Sequence, residues 1–339
     1  MNTTFLDACY QKPTSYTPVW FMRQAGRYLP EYREVKGEKN ILDVVRTPEL
    51  AAEICLQPVK RLGVDAAILY ADIMIPLMGI GVDLEIVESL GPVIKNPITS
   101  LSDVKKLRTL SPKEDVDYLL KTIKILRSEL EVPLIGFSAA PFTLASYLVE
   151  GKPSRDFMKI KSLMYSQPDA WTLLMEKLTD LIIVYLHAQA DAGIQAIQLF
   201  DSWVGCLSPE DYKNYVLPYS KKIFESLRDT HLPLIHFGTN TAGMLESFAS
   251  VDADVIGVDW RISLDKAWER IGHTKSLQGN LDPILLTSDW DVIKKHVDHM
   301  FEILPKKEGY IFNLGHGILQ TTPVVNAVRL VEYVHTKTF

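Results

Sequence analysis

Cysteine is scarce in this chain, and its scarcity excludes small disulfide-rich proteins and zinc-ribbon proteins. The 339 residues include three cysteines, Cys9, Cys55 and Cys206, which lie far apart in the sequence. Three scattered thiols cannot build a disulfide framework, nor the paired Cys-x-x-Cys ligands of a zinc ribbon. A reducing compartment suits such a chain, and we therefore predict a cytoplasmic protein.

Long apolar runs are lacking as well. Residues 1–10 have neither the basic start nor the apolar centre of a secretory signal. Residues 132–149 carry no charge, which is close to the length of a membrane span, but they include Pro133, Gly136 and Pro141. We predict a buried strand followed by a turn and a helix there, and no membrane partner.

An excess of basic charge is also missing. The chain has 36 Lys and Arg against 42 Asp and Glu, a net charge of −6, so we expect no nucleic-acid partner. A local basic cluster could still attract an acidic small molecule. Apolar residues make up 47% and charged residues 23% of the chain, which excludes disordered, collagen-like and coiled-coil proteins.

The short motifs of several common catalytic sites do not occur. The sequence has no His-Glu-x-x-His, no Gly-x-Ser-x-Gly and no phosphate-binding P-loop. His296 and His299 are three residues apart in a helical pattern, but no third ligand is near in sequence. We interpret them as a surface pair rather than a metal site.

What the sequence does contain is a regular alternation of strand and helix patterns. Short apolar runs predict eight strands, at residues 19–22, 66–70, 133–137, 196–200, 233–237, 254–258, 276–278 and 310–314. The runs are continuous rather than alternating, which is typical of parallel strands buried on both faces. We predict an α/β fold, a single-domain (β/α)8 TIM barrel over residues 1–339. A doubly wound sheet is the alternative, but of its glycine-rich turn only Gly79-Ile80-Gly81 comes near.

Four helices are predicted to begin at a hydroxyl residue followed by proline. The hydroxyl can cap the helix, and proline at the first helical position needs no partner for an N–H. The four pairs are Thr47-Pro48, Ser111-Pro112, Ser208-Pro209 and Thr322-Pro323.

Side chains that follow the strands of such a barrel meet at one end and form the active site. Arg23, Arg27 and Arg33 follow the first run, and Gly26 permits a tight turn between the first two. Guanidinium groups bind carboxylates or phosphates, so the cluster indicates an anionic ligand, with a solvated basic face as the alternative. Asp72 follows the second run between apolar neighbours. It could be a buried acceptor, a general acid or base with a shifted pKa, or a helix N-cap.

Three further polar side chains lie beyond strand ends, and each has an ordinary structural explanation. Tyr147 could be a core ring with one hydrogen bond, Ser202 a helix cap, and His316 a satisfied core histidine. The glycines on either side of His316 would let a backbone approach a ligand closely, which favours a binding role.

Longer segments resemble a known family. Residues 18–33, PVWFMRQAGRYLPEYR, and residues 136–144, GFSAAPFTL, look like the two signatures of uroporphyrinogen decarboxylase, in its bacterial form. Further similarities lie at residues 71–73, 200–205, 258–261, 278–282 and 313–317, so the resemblance covers nearly the whole chain.

The resemblance implies both a fold and an activity. It implies a (β/α)8 barrel that forms a homodimer in the cytoplasm and works in heme and tetrapyrrole synthesis. It also implies that the reaction needs no metal and no organic cofactor. The reaction it implies is the removal of CO2 from the four acetate side chains of uroporphyrinogen III, which gives coproporphyrinogen III after protonation of a pyrrole carbon. Such an enzyme is a carboxy-lyase, EC 4.1.1.37.

Residue roles follow from the resemblance position by position. Asp72, ionised, would accept the pyrrole N–H groups and stabilise the cation formed when a pyrrole carbon is protonated. Arg23 would lie at the reacting acetate, although a guanidinium is a poor acid and a water could relay the proton. The remaining substrate contacts would come from Gln24, Arg27, Tyr147, Ser202 and His316. His316 could hold a positive charge that pairs with a propionate.

Three alternatives stay open at this point. A tetrapyrrole carrier could keep the pocket and lose turnover. A related methyltransferase would bind zinc through a His-x-Cys pair after the fifth strand, where this chain has His236-Phe237-Gly238. A barrel enzyme acting on a phosphorylated sugar would need a glycine-rich phosphate site near the last two strands.

Overall fold

The structure is a computed structural model that describes residues 1–87 and 91–337. Its centre is a parallel sheet of seven strands in which sequence order and spatial order agree. The strands of the described residues are β1 (Ala67–Ile68), β2 (Leu84–Val87), β3 (Gly91–Ile94), β4 (Leu134–Ala139), β5 (Ala196–Asp201), β6 (Leu234–Gly238), β7 (Val255–Gly257), β8 (Ser276–Leu281) and β9 (Tyr310–Leu314). β2 and β3 form a separate antiparallel pair. A doubly wound sheet reverses its strand order, so this order excludes that alternative.

The two edges of the seven-stranded sheet are joined by residues 18–22, the closing segment, which contains the first predicted strand. Phe312 in β9 donates its N–H to the Pro18 carbonyl at 2.9 Å and accepts from the Trp20 N–H at 3.4 Å. On the other side, the Asp65 N–H donates to the Val19 carbonyl at 2.8 Å, just before β1. The closed ring confirms the predicted barrel fold.

This closing segment is less regular than the prediction for residues 19–22. Its ladder is a single parallel bridge, Val19 to Phe312. The reason is that side chains take the backbone partners: the Val19 N–H donates to Asp65 Oδ2 at 2.8 Å, and the Phe21 N–H donates to Gln24 Oε1 at 3.0 Å. Gln24 Nε2 in turn donates to the Ala66 carbonyl at 3.0 Å.

Helices surround the sheet, as the gaps between the apolar runs predict. The α-helices of the described residues are α1 (Thr4–Cys9), α2 (Pro30–Lys36), α3 (Ile41–Val45), α4 (Pro48–Leu62), α5 (Ile75–Gly79), α6 (Leu101–Lys106), α7 (Pro112–Asp115), α8 (Asp117–Glu129), α9 (Pro141–Glu150), α10 (Met158–Ser166), α11 (Pro168–Ala192), α12 (Pro209–Tyr215), α13 (Leu217–Leu227), α14 (Leu245–Phe248), α15 (Leu264–Arg270), α16 (Trp290–Ile303) and α17 (Val324–His335). Short 3₁₀ turns lie at Val204–Cys206, Arg228–Thr230, Thr241–Met244 and Pro283–Thr287.

The predicted helix starts are confirmed at three of the four hydroxyl–proline pairs. Helices α4, α7 and α12 begin at the proline, whereas α17 begins one residue later with Pro323 as its N-cap. Among the three, only Ser208 accepts the capping hydrogen bond, from the Asp211 N–H at 3.1 Å. Thr47 instead donates to the Asp43 carbonyl at 3.0 Å.

The uncharged stretch at residues 132–149 forms a buried strand and helix. It contains β4 and most of α9, and its side chains pack inside the barrel wall, as predicted. Across the ranges 1–87 and 91–337, no helix combines the length and the apolar character needed to cross a membrane.

Candidate active site

A cavity opens at the carboxyl ends of the strands, and several of the predicted site residues line it together. Its polar lining comes from segments that are far apart in sequence: Arg23, Arg27, Asp72, Ser202 and His316. These segments follow the closing segment, β1, β5 and β9. The parallel direction of the strands brings them to one end of the barrel.

Arg23 occupies an unusual backbone conformation at the edge of this cavity. Its φ is 59°, in the left-handed region that costs a non-glycine residue about 1–2 kcal/mol. The sequence assigned the tight turn to Gly26, but Gly26 is not among the residues with positive φ. A Cβ on Gly317 would lie 2.5 Å from Arg23 Cδ, so the last strand end packs directly on this arginine.

Gln24 and Arg33, which follow Arg23 in the sequence, have structural roles. Gln24 is fully buried and does not line the cavity, because its amide bridges the closing segment to the residue before β1. Arg33 is exposed and its Nη1 donates to the Arg27 carbonyl at 2.9 Å. The geometry therefore disagrees with a direct substrate contact from Gln24. Arg33 stabilises the loop that carries Arg27 through this hydrogen bond.

Asp72 lies on the cavity wall at the start of α5. Its Oδ1 accepts the Met74 N–H at 2.9 Å in the turn that precedes α5, but the N-cap of this helix is Met74, so the N-cap alternative for Asp72 is wrong. Burial raises the pKa of Asp72, while the Met74 hydrogen bond and the Arg23 cation lower it. A carboxylate in such a setting has a strong demand for further N–H donors.

Ser202 and Tyr147 belong to one cluster, although only Ser202 lines the cavity. Tyr147 in α9 lies behind it, with its ring edge-on to Trp203 at 5.8 Å between centroids. Burial raises the pKa of Tyr147, the hydrogen bond from Trp203 lowers it, and the charges of Asp72 and Arg23 act on it in opposite directions. The hydroxyl therefore lies within electrostatic reach of both charged groups.

His316 is held as a neutral imidazole. Its Nδ1 accepts the Gly317 N–H at 2.7 Å, so the proton of the neutral ring is on Nε2. Burial and the Arg23 cation lower the pKa of His316 to about 4. These surroundings disfavour the positive charge that the sequence left open for His316, because a desolvated ring beside a guanidinium resists protonation.

Aromatic side chains that the sequence did not single out complete the cavity. Phe137, Phe200 and Phe237 line it from three adjacent strands, with ring centroids 5.5 Å and 5.9 Å apart in edge-to-face contact. Tyr32 and Tyr70 share a hydrogen bond of 2.7 Å between their hydroxyls on another wall. The available signal was position, because the three phenylalanines lie at or near the ends of predicted strands.

Known proteins resemble this chain along its whole length. A family model described as uroporphyrinogen decarboxylase (URO-D) matches residues 1–337. A uroporphyrinogen decarboxylase from Carboxydothermus hydrogenoformans is 54% identical over 337 residues, which is 99% of this chain and 96% of that protein. One from Geobacter sulfurreducens is 50% identical, over 99% and 98% of the two chains. The chain belongs to the uroporphyrinogen decarboxylase family.

Membership of the uroporphyrinogen decarboxylase family confirms the resemblance found in the sequence. It also confirms the expected main function, decarboxylation of uroporphyrinogen, and the enzyme class, a carboxy-lyase. A solved methyltransferase from Methanosarcina mazei shares the fold, with a TM-score of 0.82 and 22% identity over 98% of this chain and 97% of that one.

The methyltransferase alternative finds no support at the position of its zinc ligands. His236 in β6 is fully buried, stacked on Phe248 at 3.8 Å, with Nδ1 3.2 Å from the Phe248 carbonyl. Burial lowers its pKa to about 3. Among residues 1–87 and 91–337, no three His, Cys, Asp or Glu side chains are grouped as metal ligands. In this member of the uroporphyrinogen decarboxylase family, His236 is a core residue.

Proposed function

We propose that the cavity binds uroporphyrinogen III with Asp72 at its centre and removes the four acetate carboxyl groups as CO2, giving coproporphyrinogen III. The observation that carries this assignment is the position of Asp72, a desolvated carboxyl on the wall of an aromatic-lined cavity that also holds Arg23 and Arg27. The substrate offers the matching groups: four inward-pointing pyrrole N–H donors and eight peripheral carboxylates.

The carboxylates of the substrate need cationic or hydrogen-bonding partners at the cavity edge. Arg27 lines the cavity, and its Nη1 reaches Gln320 at 3.4 Å in the loop after β9. Paired N–H donors of a guanidinium suit a carboxylate. We assign Arg23 and Arg27 to acetate and propionate groups. Ser202, Tyr147 and the neutral Nε2–H of His316 act as hydrogen-bond donors that orient the ring system.

Decarboxylation needs a place for the electron pair of the breaking bond. Protonation of the ring carbon that lies between the nitrogen and the acetate-bearing carbon turns the pyrrole into an iminium-like cation conjugated with the acetate methylene. The C–C bond to the carboxylate then breaks, CO2 leaves, and the electrons neutralise the cation. A second protonation at the side-chain methylene and loss of the first proton give a methyl group, so each acetate consumes one proton overall.

The Asp72 carboxylate stabilises this reaction selectively. The positive charge exists only after the ring is protonated, so an anion beside the ring lowers the barrier more than it strengthens substrate binding. Apolar walls from Phe137, Phe200 and Phe237 exclude water and strengthen the attraction. We place Arg23 at the reacting acetate, with the proton delivered from its guanidinium or through a water bound to it.

We also propose a domain organisation, an oligomeric state, a location and a biosynthetic role for this enzyme. We infer that residues 1–339 act as one domain, that the enzyme works as a homodimer in the cytoplasm without a nucleic-acid partner, and that it serves heme and related tetrapyrrole synthesis. The net charge of −6 agrees with the absence of a nucleic-acid partner. Sedimentation equilibrium should give twice the mass of the 38.3 kDa chain.

A direct assay tests the function and the role of Asp72. The purified protein, dialysed against a chelator, is incubated with uroporphyrinogen, and the products are oxidised and separated by carboxyl number. We expect stepwise loss from eight carboxyl groups to four. Asp72→Asn should lower kcat/KM at least about 100-fold, because it keeps the acceptor for Met74 but removes the charge that stabilises the cation.

The matched control is Asp180→Asn, which removes an exposed carboxylate paired with Lys222 at 2.8 Å. It should retain wild-type turnover. Tight binding of uroporphyrinogen without loss of carboxyl groups would favour the carrier instead, and an active Asp72→Asn variant would refute the central role of this carboxylate.

A further inference from the structure

A second buried carboxyl lies directly behind the cavity wall. Asp201 is the last residue of β5, pairs with Gly238 of β6, and immediately precedes Ser202. Its side chain is fully buried. Oδ1 accepts a hydrogen bond from Thr143 Oγ1 at 2.9 Å, and Oδ2 has no partner among the described residues. A buried carboxyl with one oxygen unpaired is costly to a fold, so a compensating role is expected.

Thr143 connects Asp201 to the turn formed by Ser202 and Trp203. Its Oγ1 also accepts the Trp203 N–H at 3.3 Å. A hydroxyl has one proton and two lone pairs, so donation to Asp201 leaves a lone pair available for the Trp203 N–H. Asp201 therefore sets the orientation of the Thr143 hydroxyl, and the hydroxyl holds the backbone after Ser202.

The turn held in this way carries one of the proposed substrate contacts, Ser202, and packs against a second, Tyr147. Ser202 lines the cavity, and its carbonyl accepts from Thr239 Oγ1 at 2.6 Å. The Trp203 ring packs against Tyr147 and hydrogen-bonds its hydroxyl. A shift of this turn would move both the Ser202 and the Tyr147 hydroxyl groups.

We propose that Asp201 is a positioning residue for the decarboxylation: through Thr143 it holds the Ser202–Trp203 turn, and with it Tyr147, against the bound uroporphyrinogen. This inference rests on the proposed function of the cavity. Asp201 does not line the cavity, so its proposed effect on the reaction passes through Thr143. Burial raises the pKa of Asp201 to about 7, which agrees with a carboxyl kept in the interior for the hydrogen bond it accepts.

Paired substitutions at Thr143 test the proposal. Thr143→Val keeps the volume and removes the hydroxyl, whereas Thr143→Ser keeps the hydroxyl. Because a misplacement of about 1 Å can cost roughly 100-fold in rate, we expect Thr143→Val to lower kcat at least about 10-fold. KM should change less, since the arginines and Asp72 still bind the substrate. Thr143→Ser should restore kcat to within about threefold of wild type.

Asp201 itself offers a second pair. Asp201→Asn keeps an oxygen that can accept from Thr143 and should stay close to wild-type kcat. Asp201→Leu removes the acceptor and should match Thr143→Val. The double variant Thr143→Val with Asp201→Leu should be no slower than either alone, because both break the same connection. If the Asp201→Leu chain does not fold, the Thr143 pair and Asp201→Asn still decide.

Thr179→Val is the matched control, since Thr179 is fully buried in α11 and its hydroxyl has no partner in the described part of the chain. It should leave kcat and KM unchanged. Wild-type kcat in Thr143→Val, or an equal loss in Thr143→Ser, would overturn the positioning role. An inactive wild-type protein would instead refute the proposed function, so the two failures are distinguishable.

Discussion

At the scale of single residues, the site places one buried carboxyl group within electrostatic reach of one guanidinium. Burial raises the pKa of Asp72, and the Arg23 cation counteracts part of that rise. The same cation helps to lower the pKa of His316 to about 4, so the ring stays neutral at physiological pH. Arg23 therefore acts on the charge of two other site residues besides its proposed contact with the substrate.

Substitution of Arg23 should shift the pH dependence of the reaction in a defined direction. The proposed mechanism needs ionised Asp72, so kcat/KM falls on the acidic side as Asp72 takes up a proton. Arg23→Gln removes a group that lowers the pKa of Asp72. The pKa must then rise, and the acidic limb of the kcat/KM profile should move to higher pH, in addition to any loss of rate.

Arg33→Gln is the control for this profile, because Arg33 braces the Arg27 carbonyl and is not among the groups that shift Asp72. Its acidic limb should coincide with that of wild type. A limb that stays in place, or moves to lower pH, in Arg23→Gln would show that Asp72 does not control the acidic side.

At the scale of elements, the loop after β9 is packed against the loop after the closing segment. Gly317 lines the cavity, and a Cβ there would lie 2.5 Å from Arg23 Cδ and 2.9 Å from Arg23 Cγ. The two loops can approach this closely only because residue 317 has no side chain. Gly317 thus makes room for the arginine of another element, whereas a Cβ on Gly315 would meet Trp260 at 2.7 Å.

Gly317→Ala should therefore displace the Arg23 side chain while leaving the barrel folded. We expect kcat/KM to fall about 10-fold, since the displaced group is placed at the reacting acetate, with little change in Tm. Gly243→Ala is the matched control, because a Cβ at Gly243 meets nothing within 4 Å. Steady-state kinetics and thermal melts of both variants check this, and equal activity of the two would contradict the packing argument.

At the scale of the whole molecule, closure of the barrel depends on a side chain at the end opposite to the cavity. Asp65 is buried and accepts from the Val19 N–H at 2.8 Å, from the Tyr16 hydroxyl at 2.8 Å and from His335 Nε2 at 2.7 Å. His335 is the last residue of α17. One carboxylate thus connects the closing segment, the residues before β1 and the final helix.

Loss of this carboxylate should weaken the fold as a whole. Asp65→Ala leaves the Val19 N–H and the Tyr16 hydroxyl without their acceptor, and we expect the free energy of unfolding to fall by about 3 kcal/mol. Urea denaturation measures the change. Asp180→Ala removes an exposed ion-pair partner and should cost little. Similar midpoints for the two variants would show that Asp65 does not close the barrel.

Much of this protein was determined locally, by residue types and their spacing. Continuous apolar runs predicted the parallel strands, because burial on both faces demands them, and hydroxyl–proline pairs marked the starts of α4, α7 and α12. The positions after the strands predicted Arg23, Arg27, Asp72, Ser202 and His316, because parallel strands bring their carboxyl ends together.

The tertiary structure alone decided what depends on contacts between distant segments. Gln24 turned out to bridge backbone groups, and the strain of the first turn falls on Arg23 rather than Gly26. The neutrality of His316 and the chain from Asp201 to Tyr147 arise from burial and from neighbours on other elements. Spacing in sequence specifies the end of the barrel a side chain reaches, whereas its charge and partners depend on what the fold packs around it.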